Sequence, residues 1–286
     1  MARIQVIEGL SLPGSPERVN EDALGAGHSI AFVLDGVTGL ADTPVMPGKS
    51  DAAWASHAAR DLLIVHEATS DLRTLVGNVA RDMTARFEAE RLRPPAARYE
   101  IPWTTLSMIR VADGRLDVAF VGDSRVLVET ASDDEVHNFG INPSRSALET
   151  KLAEKMLAAR KGQALGVESI RATVMPDLRR SRDTVNTPQG FWLLGPDAAV
   201  GPHVSVASLE LQGPATVLLA TDGFYALVED YKRYGDRELI ATAQTLGLAI
   251  LGRELRHIED DDPEGAKYPR MKKSDDATAL LVRVEP

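Results

Sequence analysis

Carboxylates recur at the ends of apolar runs in this sequence. Asp35 follows Ile30 to Leu34 in "IAFVLDGVTG" and is followed by Gly36; Asp222 closes "VLLATD", and again a glycine comes next. Asp123 ends the β-prone run of "AFVGDSR", and Asp275 and Asp276 precede the final run in "KKSDDATALLV". Glu21 and Asp22 stand in "VNEDALG", just ahead of the first. Alone, an Asp-Gly is a turn, because Gly accepts positive φ and Asp bonds its own backbone. Five separated segments with acids at strand ends say more. If those ends converge, like charges raise one another's pKa and cost stability. A hard divalent cation such as Mg2+ or Mn2+, which takes carboxylate, carbonyl and water oxygens, relieves that repulsion. The glycine then has a second use: with no Cβ at Gly36, its carbonyl can come close to a metal.

The elements that must deliver these acids are strands. "ARIQVIEGLS" and "HSIAFVLD" read as opening strands. From Ser50 to Arg93 the pattern turns helical, with Ser50 as an N-cap followed by an acid, a second helix from "SDLRTLVG", and Pro94-Pro95 as the stop. "WTTLSMIRVADGRLDVAFVGDSRVLVET" is strand-rich, with an Asp-Gly hairpin turn inside it. Residues 131–190 are polar, hold two helices around "SRSALETKLAEKMLAARKG" and "ESIRATVMPDLRRSRD", and form an excursion from the core rather than a second domain. Strands return at "GFWLLG", "HVSVASLEL" and "ATVLLATDG", a helical region fills 236–258, and "DATALLVRVE" closes as a strand. Strands in blocks, with helices grouped early and late, predict an α+β fold with mainly antiparallel sheets and helices on the sheet faces.

Bulk properties exclude several classes. The chain of 286 residues is 44% hydrophobic and 26% charged, an ordinary globular balance. A net charge of −10 argues against broad nucleic-acid binding, which needs Lys and Arg to neutralise phosphates. With no cysteine, thiolate catalysis, disulfides and Cys-ligated zinc are out. The start, "MARIQVIEGLS", lacks a secretory layout, and no apolar run approaches a membrane span, so the expectation is a cytoplasmic protein without membrane attachment.

The segments "RVNEDA", "FVLDGVTG", "FVGDSR", "LLATDGF" and "SDDATALLV", in this order, resemble the PPM or type 2C metal-dependent serine/threonine protein phosphatases, in a divergent bacterial form. "TPQGFWLLG" is similar to a stretch of bacterial members. The resemblance implies one phosphatase domain over 1–286, with an insert or flap at about 131–190, folded as a four-layer α-β-β-α sandwich. It implies that Asp35 bridges two Mn2+ or Mg2+ ions and that Gly36 lends its carbonyl to one of them. Asp222 and Asp275 hold the other; Glu21 and Asp22 act through waters; Asp123, with Asp222, can form a third, weaker site. Arg18 resembles the arginine that grips the substrate phosphate bidentately. The implied reaction is in-line attack by a metal-bridging hydroxide on a phosphoserine or phosphothreonine of a phosphoprotein, the two ions lying about 3.5–4 Å apart.

The sequence departs from the family at several points. Arg18 lies four residues before Asp22, one closer than the pattern; Asp276 stands where Asn is common; Trp103 replaces the Gly before Thr104 and Thr105. Val37 occupies the place of a His general acid, and "TGLADTPVMPGKSDAAW" replaces a Gly-Gly-His segment. Two alternatives therefore stand beside the protein phosphatase: a weakly active or inactive regulatory module of the same fold, and a phosphatase of small phosphomonoesters. Lys272 and Lys273 could attract phosphate but read as surface charge, and "EDDDPE" at 259–264 reads as a solvated turn. Trp54 and Trp103 read as core or interface aromatics, and His57 and His66 as helix packing.

Overall fold

A computed structural model describes residues 2–132, 135–140, 167–268, 270 and 272–286. Two five-stranded sheets carry the fold. The first contains β1 (Arg3–Leu12), β12 (Ala277–Glu285), β11 (Ala215–Ala220), β8 (Arg125–Thr130) and β9 (His137–Phe139), in that order. The second contains β10 (Ser205–Glu210), β7 (Arg115–Val121), β6 (Leu106–Ala112), β3 (Ile30–Leu34) and β2 (Ala23–Ala26). Every pairing in both is antiparallel. A small ribbon pairs β4 (Gly36–Val37) with β5 (Trp103–Thr104).

Alternation along the strands sorts the side chains into layers. Ala31 and Val33 of β3 face inward with Ile109 and Val118, against Val126, Val217, Leu219, Leu280 and Val282 of the other sheet. Phe32 and Leu34 point the opposite way, onto α1 (Asp51–Val65) and α2 (Leu72–Glu90). Ala55, Ala58 and Ala59 let α1 lie close to that sheet, while Leu75, Val79 and Met83 of α2 fill the rest. On the far face, Leu218, Ala220 and Leu281 meet Phe224 of α4 (Asp222–Glu229), Leu239 and Ile240 of α5 (Asp236–Leu246), and Leu251 and Leu255 of α6 (Leu248–Asp261). The result is the expected α-β-β-α sandwich. Burying one such Leu, Ile or Phe side chain is worth about 1.5–3 kcal/mol, and three stacked interfaces hold the strand ends in fixed register.

Several local expectations change. "GFWLLG" is no strand: it is irregular chain with one bridge between Thr104 and Leu194, because Asn186 takes both polar groups of Leu193. The helical region expected over 236–258 breaks at Gly247 and runs on to Asp261. Residues 222–229 form a helix where none was expected. Within 131–190, His137–Phe139 pairs with β8 as a sheet edge, and α3 (Val167–Arg182) matches the second expected helix. The helix expected around "SRSALETKLAEKMLAARKG" lies outside the described residues. Among the described residues no helix is long and apolar enough to cross a membrane.

Candidate metal centre

Strand register brings the acids to one end of the sandwich. Ala23 pairs with Leu34, which sets Asp22 beside Asp35 across β2 and β3. Ala220 pairs with both Arg125 and Ala279, so Asp222 follows at the level of the β7–β8 turn and of the segment entering β12. That turn carries Asp123, and the segment carries Asp275 and Asp276.

Asp35, Asp123 and Asp222 each offer a carboxylate oxygen, and the three oxygens lie within 4.8 Å of one another. The backbone of Asp35 is fixed by the threonine pair: Thr105 N–H and Thr104 Oγ1 donate to its carbonyl at 2.8 and 2.9 Å. Thr105 Oγ1 in turn lies 2.7 Å from Ser124 Oγ, which joins this end of β3 to the "GDS" turn. Asp22 is only 4% exposed and accepts a hydrogen bond from Thr221 Oγ1 at 2.9 Å. Burial, followed by the charge of Asp222 and then of Asp22, Asp123 and Asp275, pushes the Asp35 carboxyl well above its ordinary range. Asp22 is raised in the same way, by burial first and then by Asp275, Asp276 and Asp222, although its bond from Thr221 opposes the shift. Such an array is stable with its charges on only when a cation shares it. All-oxygen donors in a half-buried cluster fit a hard divalent ion such as Mn2+ or Mg2+.

Both Asp-Gly glycines are required by close approach of neighbouring backbone. A Cβ on Gly36 would lie 2.3 Å from the carbonyl oxygen of Glu21 and 2.7 Å from that of Ala52. Backbone of the 21–22 segment and of α1 fills the space, and Gly36 N–H donates to Glu21 O at 3.1 Å. A Cβ on Gly223 would meet the carbonyl oxygen of Asp276 at 2.0 Å, so this glycine admits the 275–276 segment against α4.

The remaining candidates divide. Asp276 Oδ1 and Oδ2 accept the backbone N–H groups of Gly14 and Glu21, both at 2.7 Å, which commits this side chain to anchoring the 13–21 loop. Asp275 Oδ1 accepts from Lys272 Nζ at 2.7 Å and from Asp276 N–H at 2.9 Å. Glu21 accepts from Thr38 Oγ1 at 2.7 Å and from Ser50 Oγ, the α1 N-cap, at 2.5 Å. Arg18 is exposed in a turn and makes no side-chain hydrogen bond or ion pair among the described residues. Sequence reasoning missed Thr38, Ser124 and Thr221, hydroxyls that carry no signal of their own outside the fold, and read Ser50 as a helix N-cap without its bond to Glu21. Lys272 is not surface charge, since its ammonium reaches into the acid cluster. The 259–264 acids divide: Asp260, Asp261 and Glu264 are exposed, whereas Glu259 and Asp262 are buried. Asp262 is buried and accepts backbone N–H bonds from Ala266, Lys267 and Tyr268 as well as the Arg270 guanidinium. Trp103 is fully buried, as expected, and Trp54 bonds Glu90 from α1 to α2.

The family model for protein phosphatase 2C matches residues 16–257. No curated protein matches the chain in sequence. Among solved structures, the serine/threonine phosphatase PstP/Ppp of Mycobacterium tuberculosis is similar over 100% of both chains, with TM-score 0.58 and 16% identity. The PstP catalytic domain in complex with two manganese ions is similar over 100% of both chains, with TM-score 0.54 and 17% identity. The serine/threonine phosphatase Stp1 of Staphylococcus aureus matches over 100% of this chain and 96% of its own, with TM-score 0.53 and 18% identity.

Proposed function

Because the chain belongs to the protein phosphatase 2C family, we propose that it removes phosphate from phosphoserine and phosphothreonine in proteins with the help of two divalent ions, Mn2+ or Mg2+. The observation that carries this is the meeting of Asp35, Asp123 and Asp222 from three separate strand ends within 4.8 Å. The manganese pair in the PstP relative supports the choice of ion.

In this reading Asp35 would serve both ions, the Gly36 carbonyl would serve one of them, Asp222 and Asp275 would hold the other, and Asp123 with Asp222 would offer a third position. Glu21 and Asp22 would act through water. When bound, such a pair supplies Lewis acidity toward a water nucleophile and toward the phosphate oxygens. The protein's own part is preorganisation. Thr104 and Thr105 fix the Asp35 backbone, Thr221 orients Asp22, and Ser50 and Thr38 hold the Glu21 carboxylate. Asp276 closes the 13–21 loop over this end of the sandwich. Arg18, exposed on that loop, would meet an incoming phosphate as a bidentate partner. Val37 offers no proton, so the departing alkoxide must take its proton from water or from another residue of the site.

Hydrolysis of p-nitrophenyl phosphate with Mn2+, Mg2+ or EDTA, by wild type and Asp35→Asn, tests the reading. Metal-dependent turnover that the substitution abolishes is expected. No turnover with any metal from folded protein would leave the regulatory module in its place. Faster turnover of sugar or nucleotide phosphates than of phosphopeptides would move the substrate class.

A further inference from the structure

Lys272 sits where an opposing charge has the most effect. Its Nζ donates to Asp275 Oδ1 at 2.7 Å and to Thr38 Oγ1 at 3.0 Å, and the Thr38 hydroxyl in turn donates to Glu21 Oε2 at 2.7 Å. One ammonium thereby joins three segments of the acid cluster: the 272–276 approach to β12, the chain after β4, and the 21–22 loop. Its side chain is 26% exposed.

The cation required at Asp275 under the phosphatase reading, on which this inference rests, would share that carboxylate with Lys272. Asp275 Oδ1 already serves Lys272 and the Asp276 N–H. A carboxylate oxygen that gives its lone pairs to an ammonium and an amide has less to give to a metal, and a fixed positive charge beside a divalent ion repels it. We propose that Lys272 is the resident counter-cation of the metal centre: it holds the acid cluster together in the metal-free protein and must give up Asp275 before the metals load, lowering the affinity of the site for them. Thr38 belongs to the same device, since it keeps a hydrogen bond for the ammonium that does not depend on Asp275. The role is one of positioning and competition, and Lys272 needs no contact with substrate.

The test is Mn2+ binding by calorimetry and by electron paramagnetic resonance on the full chain, for wild type, Lys272→Met and Lys272→Arg. Lys272→Met is expected to bind Mn2+ at least about tenfold more tightly, a shift of roughly 1.4 kcal/mol, and Lys272→Arg is expected to stay near wild type. A second arm is urea unfolding in EDTA across the cycle of Lys272→Met, Asp275→Asn and the double variant. Lys272→Met is expected to be less stable than wild type there, with clear coupling to Asp275. Equal and measurable Mn2+ affinity in wild type and Lys272→Met overturns the competition while leaving the phosphatase reading intact. Absence of Mn2+ binding by both at millimolar metal removes the two together. No coupling in EDTA overturns the counter-cation role by itself.

Discussion

Asp275 and Asp276 are adjacent, equally acidic, and bound to opposite duties. Asp276 spends both oxygens on the N–H groups of Gly14 and Glu21, whereas Asp275 shares one oxygen with Lys272 and turns toward the acid cluster. Removing the first should therefore unfold, and removing the second should unload. Asp276→Ala loses two carboxylate–amide bonds and should cost about 2 kcal/mol in urea unfolding with EDTA present. Asp275→Asn breaks a part-exposed ion pair and should cost under about 1 kcal/mol in the same assay. Its Mn2+ affinity should nevertheless fall at least about tenfold, the loss seen even for outer partners of a metal. Should the two variants exchange these behaviours, Asp276 is the ligand and Asp275 the anchor. The sequence offers no means of separating them, because both precede the same strand; only the fold, which brings Gly14 and Glu21 to Asp276 and Lys272 to Asp275, assigns their duties.

Elements fix the site by their ends. The α4 N-terminus presents Asp222, and the glycine behind it lets the 275–276 backbone pass at a distance no Cβ tolerates. Gly223→Ala should push that segment outward, so Mn2+ binding should be lost while the far-ultraviolet dichroism of the folded protein is retained; normal Mn2+ affinity in this variant would show that the 275 segment is not a ligand-bearing part. The same segment is held at its other end by the loop after α6, where burial works to raise the pKa of Asp262. The amides of Tyr268, Lys267 and Ala266 and the Arg270 guanidinium outweigh it and hold it at about 2. A depressed carboxyl contributes stability that is present above its unfolded value, 3.8, and is lost as pH falls through about 2. Wild type should thus exceed Asp262→Asn by about 2 kcal/mol at pH 6, and the gap should narrow as pH is lowered below 4 in urea titrations. A gap independent of pH would mean that packing of the loop, not the charge, is what Asp262 provides.

At the scale of the whole molecule, the apolar strands and the acids that end them were legible for one reason: a strand buried on both faces cannot carry a carboxylate except where it stops. Asp35 after "IAFVL" and Asp222 after "VLLA" show this directly. What stayed hidden depends on partners distant in sequence. Lys272 needs Thr38 and Asp275 in place before it differs from a surface lysine, and the hydroxyls of Ser50 and Thr221 acquire Glu21 and Asp22 as partners only in the fold. The short β2 and the helix after Asp222 likewise form because tertiary neighbours complete them, the former by pairing with β3 and the latter by packing Phe224 into the core. The fold thus gathers like charges at one end of a molecule already at net charge −10, and its stability should depend on what neutralises them. An ion that binds the folded chain alone adds about 2.7 kcal/mol at a hundred times its dissociation constant. Two such ions should raise the melting temperature by roughly 10 °C. Asp35→Asn should reverse the ranking. The raised pKa of Asp35 means that its penalty is absent at low pH and complete once pH exceeds the folded value. In EDTA at pH 8 the variant, freed of that buried charge, should melt above wild type; in saturating Mn2+ it should melt below. Scanning calorimetry of the two proteins in both buffers reads all four values, and a wild type that melts at one temperature with and without Mn2+ would separate this acid cluster from any metal.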